Sequence, residues 1–139
     1  MISDGSLTFR AYHDTEDASE LSRAFGRPGT TTFVKGQPSQ IEGLPVDRHA
    51  WFLNSSDLAA DDSFEQHTEA LSAFLTEHEN ELRTLRDSGW SFDVVVDWNG
   101  LGFRGPAFHS RHLRTLGEFG LDLWIRFVRP NASSTMKRD

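Results

Sequence analysis

The stretch Trp90-Ser91-Phe92-Asp93-Val94-Val95-Val96-Asp97-Trp98 contains the clearest β-strand pattern in the chain. Large apolar side chains occupy every even position, and polar side chains occupy three of the four odd positions. Strict alternation of this kind places one face of a strand in a core and the other near water. The β-branched and aromatic residues of this stretch suit a pleated, half-buried surface. We therefore expect a central strand with helices packed against its apolar face.

The other strand and helix patterns lie on both sides of this stretch. Alternating or β-branched segments predict strands at 7–13, 30–35, 48–54 and 121–128. Amphipathic segments predict helices at 18–25, 64–75, 77–87 and 107–118. Gly26 is placed to end the first helix in the left-handed conformation. Ser63 with Gln66, and Thr76 with Glu79, resemble capping boxes, and the second pair predicts a bend near Thr76.

This order of elements predicts an α+β fold. With the one or two helices at 64–87 counted as one element, the first six elements match a ferredoxin-like βαββαβ sandwich, to which a C-terminal helix and strand are added. We expect an antiparallel or mixed sheet that is covered by helices on one face. Residues 1–128 are expected to form a single domain, followed by a frayed polar tail at 129–139.

Composition excludes several classes of site. The chain has 139 residues, no cysteine, and 21 acidic against 14 basic residues, for a net charge of −7. Without cysteine there is no disulfide framework and no thiolate metal site, and we expect no cofactor. The acidic balance argues against nucleic-acid partners and fits a basic protein partner. No apolar run approaches the ~20 residues that span a bilayer, and residues 1–6 show no secretory signal, so a cytoplasmic protein without membrane contact is expected.

Polar and aromatic side chains gather at the outward positions of three predicted strands. They are Arg10 and Tyr12 in the first strand, Asp93 and Asp97 in the stretch at 90–98, and Trp124 and Arg126 in the last strand. If these strands are neighbours, carboxylates lie opposite guanidinium groups. One interpretation is a ladder of ion pairs on an exposed sheet. The other is a protein-binding surface, since Trp, Tyr and Arg are enriched at interface hot spots.

A glycine-rich segment at 99–106 offers an alternative site for a small ligand or nucleotide. Its candidate residues are Asn99, Gly100, Gly102, Arg104 and Gly105. The spacing G-x-G-x-x-G follows a predicted strand and precedes a predicted helix, and Asp122 lies seventeen residues beyond the last glycine. The dinucleotide fingerprint requires an acidic residue about twenty positions on and a complete βαβ unit. Pro106 and the short chain argue against that fingerprint, and a flexible turn is the simpler interpretation.

Two histidines on the last predicted helix raise the question of a metal site. His109 and His112 are three residues apart and share one helix face, but a site needs a third ligand such as Asp97. We interpret the pair as a solvated face and predict no metal. A triad of Ser110, His109 and Asp97 is rejected, because adjacent residues on a helix do not face each other and no nucleophile-elbow motif is present. The sequence therefore predicts no enzyme.

The order of several landmarks resembles the bacterial family of small proteins called domain of unknown function 4279. The landmarks are Phe25-Gly26-Arg27-Pro28, Lys35-Gly36, the strand around Trp51, and LRTLGEFGLDL at 113–123. The resemblance covers residues 5–128 and implies a single α+β domain. The family carries no established activity, so it implies no catalytic residues. Gln37 departs from the acidic residue that often follows Lys35-Gly36 in the family.

The resulting expectation is a non-enzymatic interaction protein of the bacterial cytoplasm. One form of such a protein is an immunity-type inhibitor of a toxin. The basis for this form is an association: some small proteins of this kind act as immunity proteins beside polymorphic toxins. The alternative is a ligand-binding module that uses residues 99–106. The sequence leaves open a homodimer, in which a second copy would cover the outward positions of the strands.

Overall fold

The computed structural model describes residues 5–38, 46–59, 63–100 and 105–128. In chain order these contain β1 (Gly5–His13), α1 (Ser19–Phe25), β2 (Thr31–Phe33), β3 (His49–Asn54), a 3₁₀ turn (Ser55–Asp57), α2 (Phe64–Glu77), α3 (Glu79–Asp87), β4 (Ser91–Trp98), α4 (Ser110–Glu118) and β5 (Asp122–Phe127). Most of the segment at 36–47, between the second and third predicted strands, and the whole tail predicted at 129–139 lie outside the described residues.

The strands of the described residues form one open five-stranded sheet in the order β2-β3-β1-β4-β5. β1 is antiparallel to both β3 and β4, β2 is antiparallel to β3, and β5 runs parallel to β4. The predicted α+β class is confirmed, and the stretch at 90–98 is an interior strand. The specific ferredoxin-like topology is not confirmed, because the sheet has five strands and ends in a parallel pair.

All four helices contribute to a single core on one face of the sheet. Phe9 lies at its centre and is fully buried. The rings of Phe25, Trp51, Phe74 and Phe92 surround it at centroid distances of 5.3 to 6.3 Å. The core thus uses the alternate positions that the sequence assigns to the apolar side of each strand, as period-two patterning requires.

The helix boundaries follow local capping chemistry. Gly26 ends α1 with φ of 68°, a left-handed conformation that glycine adopts without a steric penalty. Ser63 caps α2 by accepting the N–H of Gln66 at 3.1 Å, as predicted. The predicted break between α2 and α3 is present at His78, two residues after Thr76, but His78 rather than Thr76 is the N-cap of α3. α4 begins at Ser110, three residues later than predicted, because the preceding residue His109 is extended with ψ of 146°.

The last strand departs from its predicted burial. The alternation that directs residues 124 and 126 outward assigns residues 121, 123, 125 and 127 to the core, but only Leu121 is buried, and Leu123 is half-buried. Ile125 is 44% exposed and Phe127 is 72% exposed. The reason is position: β5 is an edge strand, and the described helices do not cover its carboxyl-terminal half.

A buried polar contact fixes the 3₁₀ turn to the core. The Ser55 hydroxyl accepts the backbone N–H of Leu7 at 2.9 Å and lies 2.5 Å from Nδ1 of His67, also in hydrogen-bond contact. Ser55 and His67 are both buried, so each polar atom needs its partner. One hydroxyl therefore joins β1, the turn and α2.

Within the described part of the chain, no helix has the length and apolar character required to cross a bilayer.

Replacing Ser55 with alanine should lower the free energy of unfolding by about 2–3 kcal/mol, because a buried N–H and a buried imidazole nitrogen lose their partner. Urea unfolding followed by far-ultraviolet circular dichroism measures this change. Ser56→Ala is the matched control, since Ser56 is exposed and only its backbone N–H makes a hydrogen bond with Asn54. It should shift stability by less than about 0.5 kcal/mol. Equal midpoints for the two variants would contradict the structural role of Ser55.

Candidate functional site

The sheet surface opposite the four helices is called the outer face below. Directly paired residues on neighbouring strands point to the same face, so the register defines its members. They include Arg10, Tyr12, Phe33, Phe52, Asp93, Asp97, Trp124 and Arg126. All six residues predicted as a binding surface therefore lie on one face, on the three adjacent strands β1, β4 and β5.

Two bidentate ion pairs cross the outer face. Arg10 pairs directly with Asp93 in the register, and its Nε and Nη2 lie 2.7 and 2.6 Å from the two carboxylate oxygens. Arg126 pairs directly with Asp97, with distances of 2.6 and 3.1 Å. The two-point geometry fixes both guanidinium planes. Neither carboxylate is free to act as an unpaired negative charge toward a partner.

The two ion pairs differ in their exposure to water. The side chains of Arg10 and Asp93 are 24% and 19% exposed. Those of Arg126 and Asp97 are 67% and 25% exposed. Because water screens exposed charges, the pair at Arg126 contributes less to stability, on the order of 0.2–1 kcal/mol. The partly buried pair at Arg10 is the more rigid feature of the outer face.

A cluster of arginine and aromatic side chains adjoins the ion pair at Arg10. The guanidinium carbon of Arg48 lies 4.5 Å from the ring centroid of Tyr12, and that of Arg10 lies 5.6 Å from it. Phe52 packs edge-on against Tyr12 at 5.7 Å and against Phe33 at 5.1 Å. These five residues, on β1, β2 and β3 with the residue before β3, are called the Arg–aromatic cluster below. Such cation–π contacts hold the rings in place without hiding them.

The environment of Tyr12 changes its acidity. Burial raises the pKa of the Tyr12 hydroxyl above its usual range, and the positive charge of Arg10 opposes that rise only in part. The neutral phenol is thus the form that the fold favours. It presents both a ring and a hydroxyl group at the surface, which is the combination that makes tyrosine effective at interfaces.

Trp124 lies apart from the Arg–aromatic cluster, on the edge strand. It pairs with Val95 of β4 and covers part of the outer face, where Val95 is 4% exposed. Trp124 itself remains 59% exposed. A large exposed ring at a sheet edge is a typical anchor for association, although one exposed aromatic residue is not by itself unusual.

An apolar cleft lies on the helix side, at the carboxyl end of β4. Its volume is about 500 Å³. Phe64 packs edge-on against Trp98 at 5.2 Å and against Phe108 at 5.6 Å. Among the described residues, the lining comprises Phe64, Glu65, Thr68, Trp98, Gly105, Ala107, Phe108, His109 and His112. Aromatic walls with a few polar groups at the rim are typical of small-molecule sites.

The two histidines of this cleft lie beside glutamates of α2, but the solvated face predicted for the pair is wrong for His112, which is 4% exposed. Nε2 of His109 lies 2.8 Å from Glu65, and Nε2 of His112 lies 3.1 Å from Glu69 without hydrogen-bond geometry. A hydrogen bond from Arg111 lowers the pKa of Glu69. Among the described residues, no group of three potential ligands is placed to hold a metal ion. The third ligand considered from sequence, Asp97, points to the outer face, on the opposite side of the sheet.

The glycine-rich segment lies only partly within the described residues. Gly102 and Arg104 fall outside the described residues, and Asn99, Gly100 and Gly105 lie within them. A Cβ at Gly100 would lie 2.7 Å from the Trp98 ring, so close packing explains this glycine. Asp122 pairs with Asp93, five residues before the end of β4, and so lies roughly 16 Å along the sheet from the segment at 3.3 Å per residue. The acidic residue of the fingerprint is at the wrong end of its strand.

Comparison with known proteins identifies the family. The model of a family described as domain of unknown function, DUF4279, matches residues 3–127, nearly the whole chain. The chain belongs to the DUF4279 family. The resemblance predicted from sequence landmarks is thereby confirmed. No curated protein and no solved structure matches the chain. The function of this DUF4279 protein is therefore argued from the geometry of its surface.

Sequence inspection missed part of both regions in this DUF4279 protein. Phe33, Arg48 and Phe52 complete the Arg–aromatic cluster, and Phe64 and Phe108 line the cleft. Alternation within 48–54 already placed Phe52 opposite Trp51, so its outward position was predictable. The neighbours of Phe52 across the sheet were not, because strand order and register depend on contacts far apart in the chain.

The single tyrosine of the chain permits a direct test of the cluster. The ultraviolet absorbance of tyrosinate should titrate above pH 10 in the folded protein and near about 10 in urea. Since the folded pKa is the higher one, the stability that Tyr12 contributes is present below pH ~10 and is lost as pH rises through the folded pKa. Phe52→Ala should move the folded midpoint back toward 10, whereas Trp124→Ala should leave it unchanged. Identical midpoints in folded and unfolded protein would refute the buried environment of Tyr12.

Proposed function

We propose that this DUF4279 protein is a non-enzymatic interaction module of the bacterial cytoplasm, which binds a protein partner through its outer face. The observation that supports this proposal is the Arg–aromatic cluster, held on the sheet surface opposite all four helices. The contact residues are Arg10, Tyr12, Asp93, Asp97, Trp124 and Arg126, together with Arg48 and Phe52.

Preorganisation gives this surface an advantage in binding. Association costs about 0.5–1.5 kcal/mol for each flexible side chain that becomes immobilised. Arg10 and Arg126 are already fixed by bidentate carboxylates, and Tyr12 is fixed between two guanidinium groups and a phenyl ring. A partner that contacts these side chains therefore meets a smaller entropic cost. Tyrosine, tryptophan and arginine are also the residues that most often dominate interface energies.

The charge of the partner follows less directly from the outer face. Asp93 and Asp97 are each neutralised by an arginine, so reversing their charge would break ion pairs as well as repel a basic partner. The support for a basic partner is the net charge of −7 carried by the whole chain. We propose a partner that is basic overall but that meets an aromatic, charge-balanced patch.

An immunity-type inhibitor of a toxin is one role of such a module, and it remains a proposal. Its support is the acidic chain with a rigid open surface, which suits the blocking of a basic enzyme.

A separate observation supports the proposal of a non-enzymatic protein. Ser55 and His67 resemble a nucleophile and its base, but both are buried and serve a structural contact. Ser55 is fully buried and its oxygen already accepts the N–H of Leu7.

We also propose that β1 to β4 with α1, α2 and α3 derive from a ferredoxin-like βαββαβ unit, in which α2 and α3 together take the place of one helix, and to which α4 and β5 are added. The support is that each pair of neighbouring strands among β1 to β4 is antiparallel, and that α1, α2 and α3 lie on one face of these strands.

The interaction proposal is tested with a photoreactive phenylalanine analogue, incorporated at Phe52 on the outer face or at Phe119 on the helix side. Both are half-buried phenylalanines, so the two substitutions perturb the fold to a similar degree. After irradiation in a lysate of the source organism, the Phe52 position should yield a discrete adduct of one partner at least about tenfold above Phe119. Gel mobility and mass spectrometry of the adduct measure this ratio.

Two results would contradict the interaction proposal. Equal yields from both positions would show no preference for the outer face. An adduct formed only with a second copy of the chain would show that the face binds itself. As a further control, Arg48→Ala combined with Tyr12→Ala should abolish the partner adduct while circular dichroism remains native.

The cleft supports a second candidate function, the binding of a small ligand. It lies outside the carboxyl end of β4, which is joined through α4 to the parallel neighbour β5. Ligands of α/β units bind in this position. The rings of Phe64, Trp98 and Phe108 favour a flat apolar body, and His109 with Glu65 offers hydrogen bonds at the rim. Of the described residues of the predicted ligand segment, Gly105 lines the cleft.

Titration with anilinonaphthalene sulfonate, a flat aromatic anion, tests the cleft. We expect saturable fluorescence enhancement, weakened about tenfold by Ala107→Trp, because Ala107 is exposed and lines the cleft. Ser110→Trp is the matched control at a nearby exposed residue outside the lining, and it should bind normally. Nucleotides that compete with the dye would identify the ligand class. A flat titration of folded wild-type protein would remove this candidate.

A further inference from the structure

The backbone pairing of β5 leaves one row of its polar groups directed outward. The N–H of Val128 donates to the carbonyl of Trp98 at 2.8 Å. In a parallel pair, alternate residues bond to the neighbour, so the even-numbered residues of β5 face β4. Leu123, Ile125 and Phe127 therefore direct their N–H and C=O groups to the open edge. Within the described residues, no strand pairs with β5 on that side.

The side chains along this edge are unusually apolar for an exposed strand. Trp124 on the outer face is 59% exposed, and Ile125 and Phe127 on the helix side are 44% and 72% exposed. β5 contains neither proline nor lysine, the residues that block pairing at sheet edges. Arg126 does not repel a second strand either, because its Nε and Nη2 donate to Asp97 on the neighbouring strand, and a guanidinium with five N–H donors can also meet a carboxylate across the edge.

The two edges of the sheet differ. β2 has only three residues, two of them exposed threonines, and offers little backbone for pairing. β5 has six residues with apolar side chains on both faces. If the sheet is extended by another strand, β5 is the edge that can accept it.

We propose that two copies of the chain associate through antiparallel pairing of their β5 strands about a two-fold axis at Trp124. In this register Asp122 of each copy lies opposite Arg126 of the other, and Trp124 lies opposite its own equivalent. On the helix side, Leu123 lies opposite Ile125. The sequence of β5 is thus self-complementary in both charge and apolar contact, as an isologous interface requires.

The register is selected by hydrogen bonding as well as by charge. Pairing about Trp124 matches odd residues with odd residues, so the outward groups of Leu123 and Ile125 bond to one another across the axis. A shift of one residue would match outward groups with groups already bonded to β4. A shift of the axis to Ile125 would move Asp122 away from Arg126. Pairing about Trp124 is the register that satisfies both requirements.

This association goes beyond the proposed partner binding, and of the proposed contact residues it uses only Trp124 and Arg126, which lie on the paired strand. Edge pairing would join two sheets into one of ten strands, and the two outer faces would become continuous. The Arg–aromatic clusters lie on β1, β2 and β3, away from the paired edges. Each dimer would thus present two equivalent partner surfaces, which raises avidity for a partner with two sites.

Light scattering from micromolar to submillimolar concentration tests the dimer. The wild type should reach twice the chain mass of 15.7 kDa. Ile125→Pro should remain monomeric, because proline removes only an outward N–H and leaves the ladder to β4 intact. Val34→Lys, at an exposed apolar residue near the other edge, should dimerise normally. Circular dichroism verifies that each variant is folded.

A charge exchange then tests the register itself. Asp122→Arg and Arg126→Asp should each weaken self-association about tenfold or more, since like charges meet across the axis. A mixture of these two variants should form a heterodimer, because opposite charges meet again. If one of them does not fold, Ile125→Pro still decides whether this edge forms the contact. A wild type that stays monomeric throughout, or a dimer unaffected by Ile125→Pro and by both charge variants, would overturn the proposal.

Discussion

The placement of all four helices on one side of the sheet is the constraint on which this molecule depends. Phe9 and Arg10 are neighbours in β1, yet one is enclosed by four aromatic rings and the other is paired with Asp93 near water. Such a sheet needs strands that are apolar on one side only. A change that covered the outer face would have to replace every second residue of β1, β3 and β4. The open face is therefore built into the alternation that also forms the core.

The ion pairs of the outer face matter for geometry more than for stability. Exposed pairs contribute on the order of 0.2–1 kcal/mol each, whereas burying a phenylalanine such as Phe9 contributes about 1.5–3 kcal/mol. What the pairs supply is order, because each bidentate contact holds an arginine in one position on the sheet. In the Arg–aromatic cluster that order extends to Tyr12 through Arg10. A surface of low intrinsic stability can thus be rigid where a partner would meet it.

The sequence predicted much of this fold, and the misses share one cause. Alternation in β1 and β4, the glycine that ends α1 and the serine that caps α2 are local signals, and each was correct. The exposure of Ile125 and Phe127 was missed because an alternating pattern reports periodicity and not whether a helix lies above it. Strand register was equally inaccessible. It decides that Asp122 lies far from the glycine-rich segment and that Arg10 meets Asp93. The covering of a strand by a helix and the register between strands both depend on contacts between residues that are remote in sequence.

The apolar side of β5 shows that an alternating apolar pattern does not by itself mean burial within one chain. An apolar residue in an alternating strand usually predicts a core position, since exposing it forfeits roughly 25 cal/mol for each Å² left in water. In the single chain Phe127 is 72% exposed, so most of its side chain does not gain this free energy of burial. The parallel crossover through α4 brings β5 next to β4 but places α4 mainly against α2, with fewer contacts to β5. The pattern of β5 thus describes a core position that one chain alone does not complete, and its self-complementary charges at Asp122 and Arg126 indicate a second copy of β5 as the element that completes it.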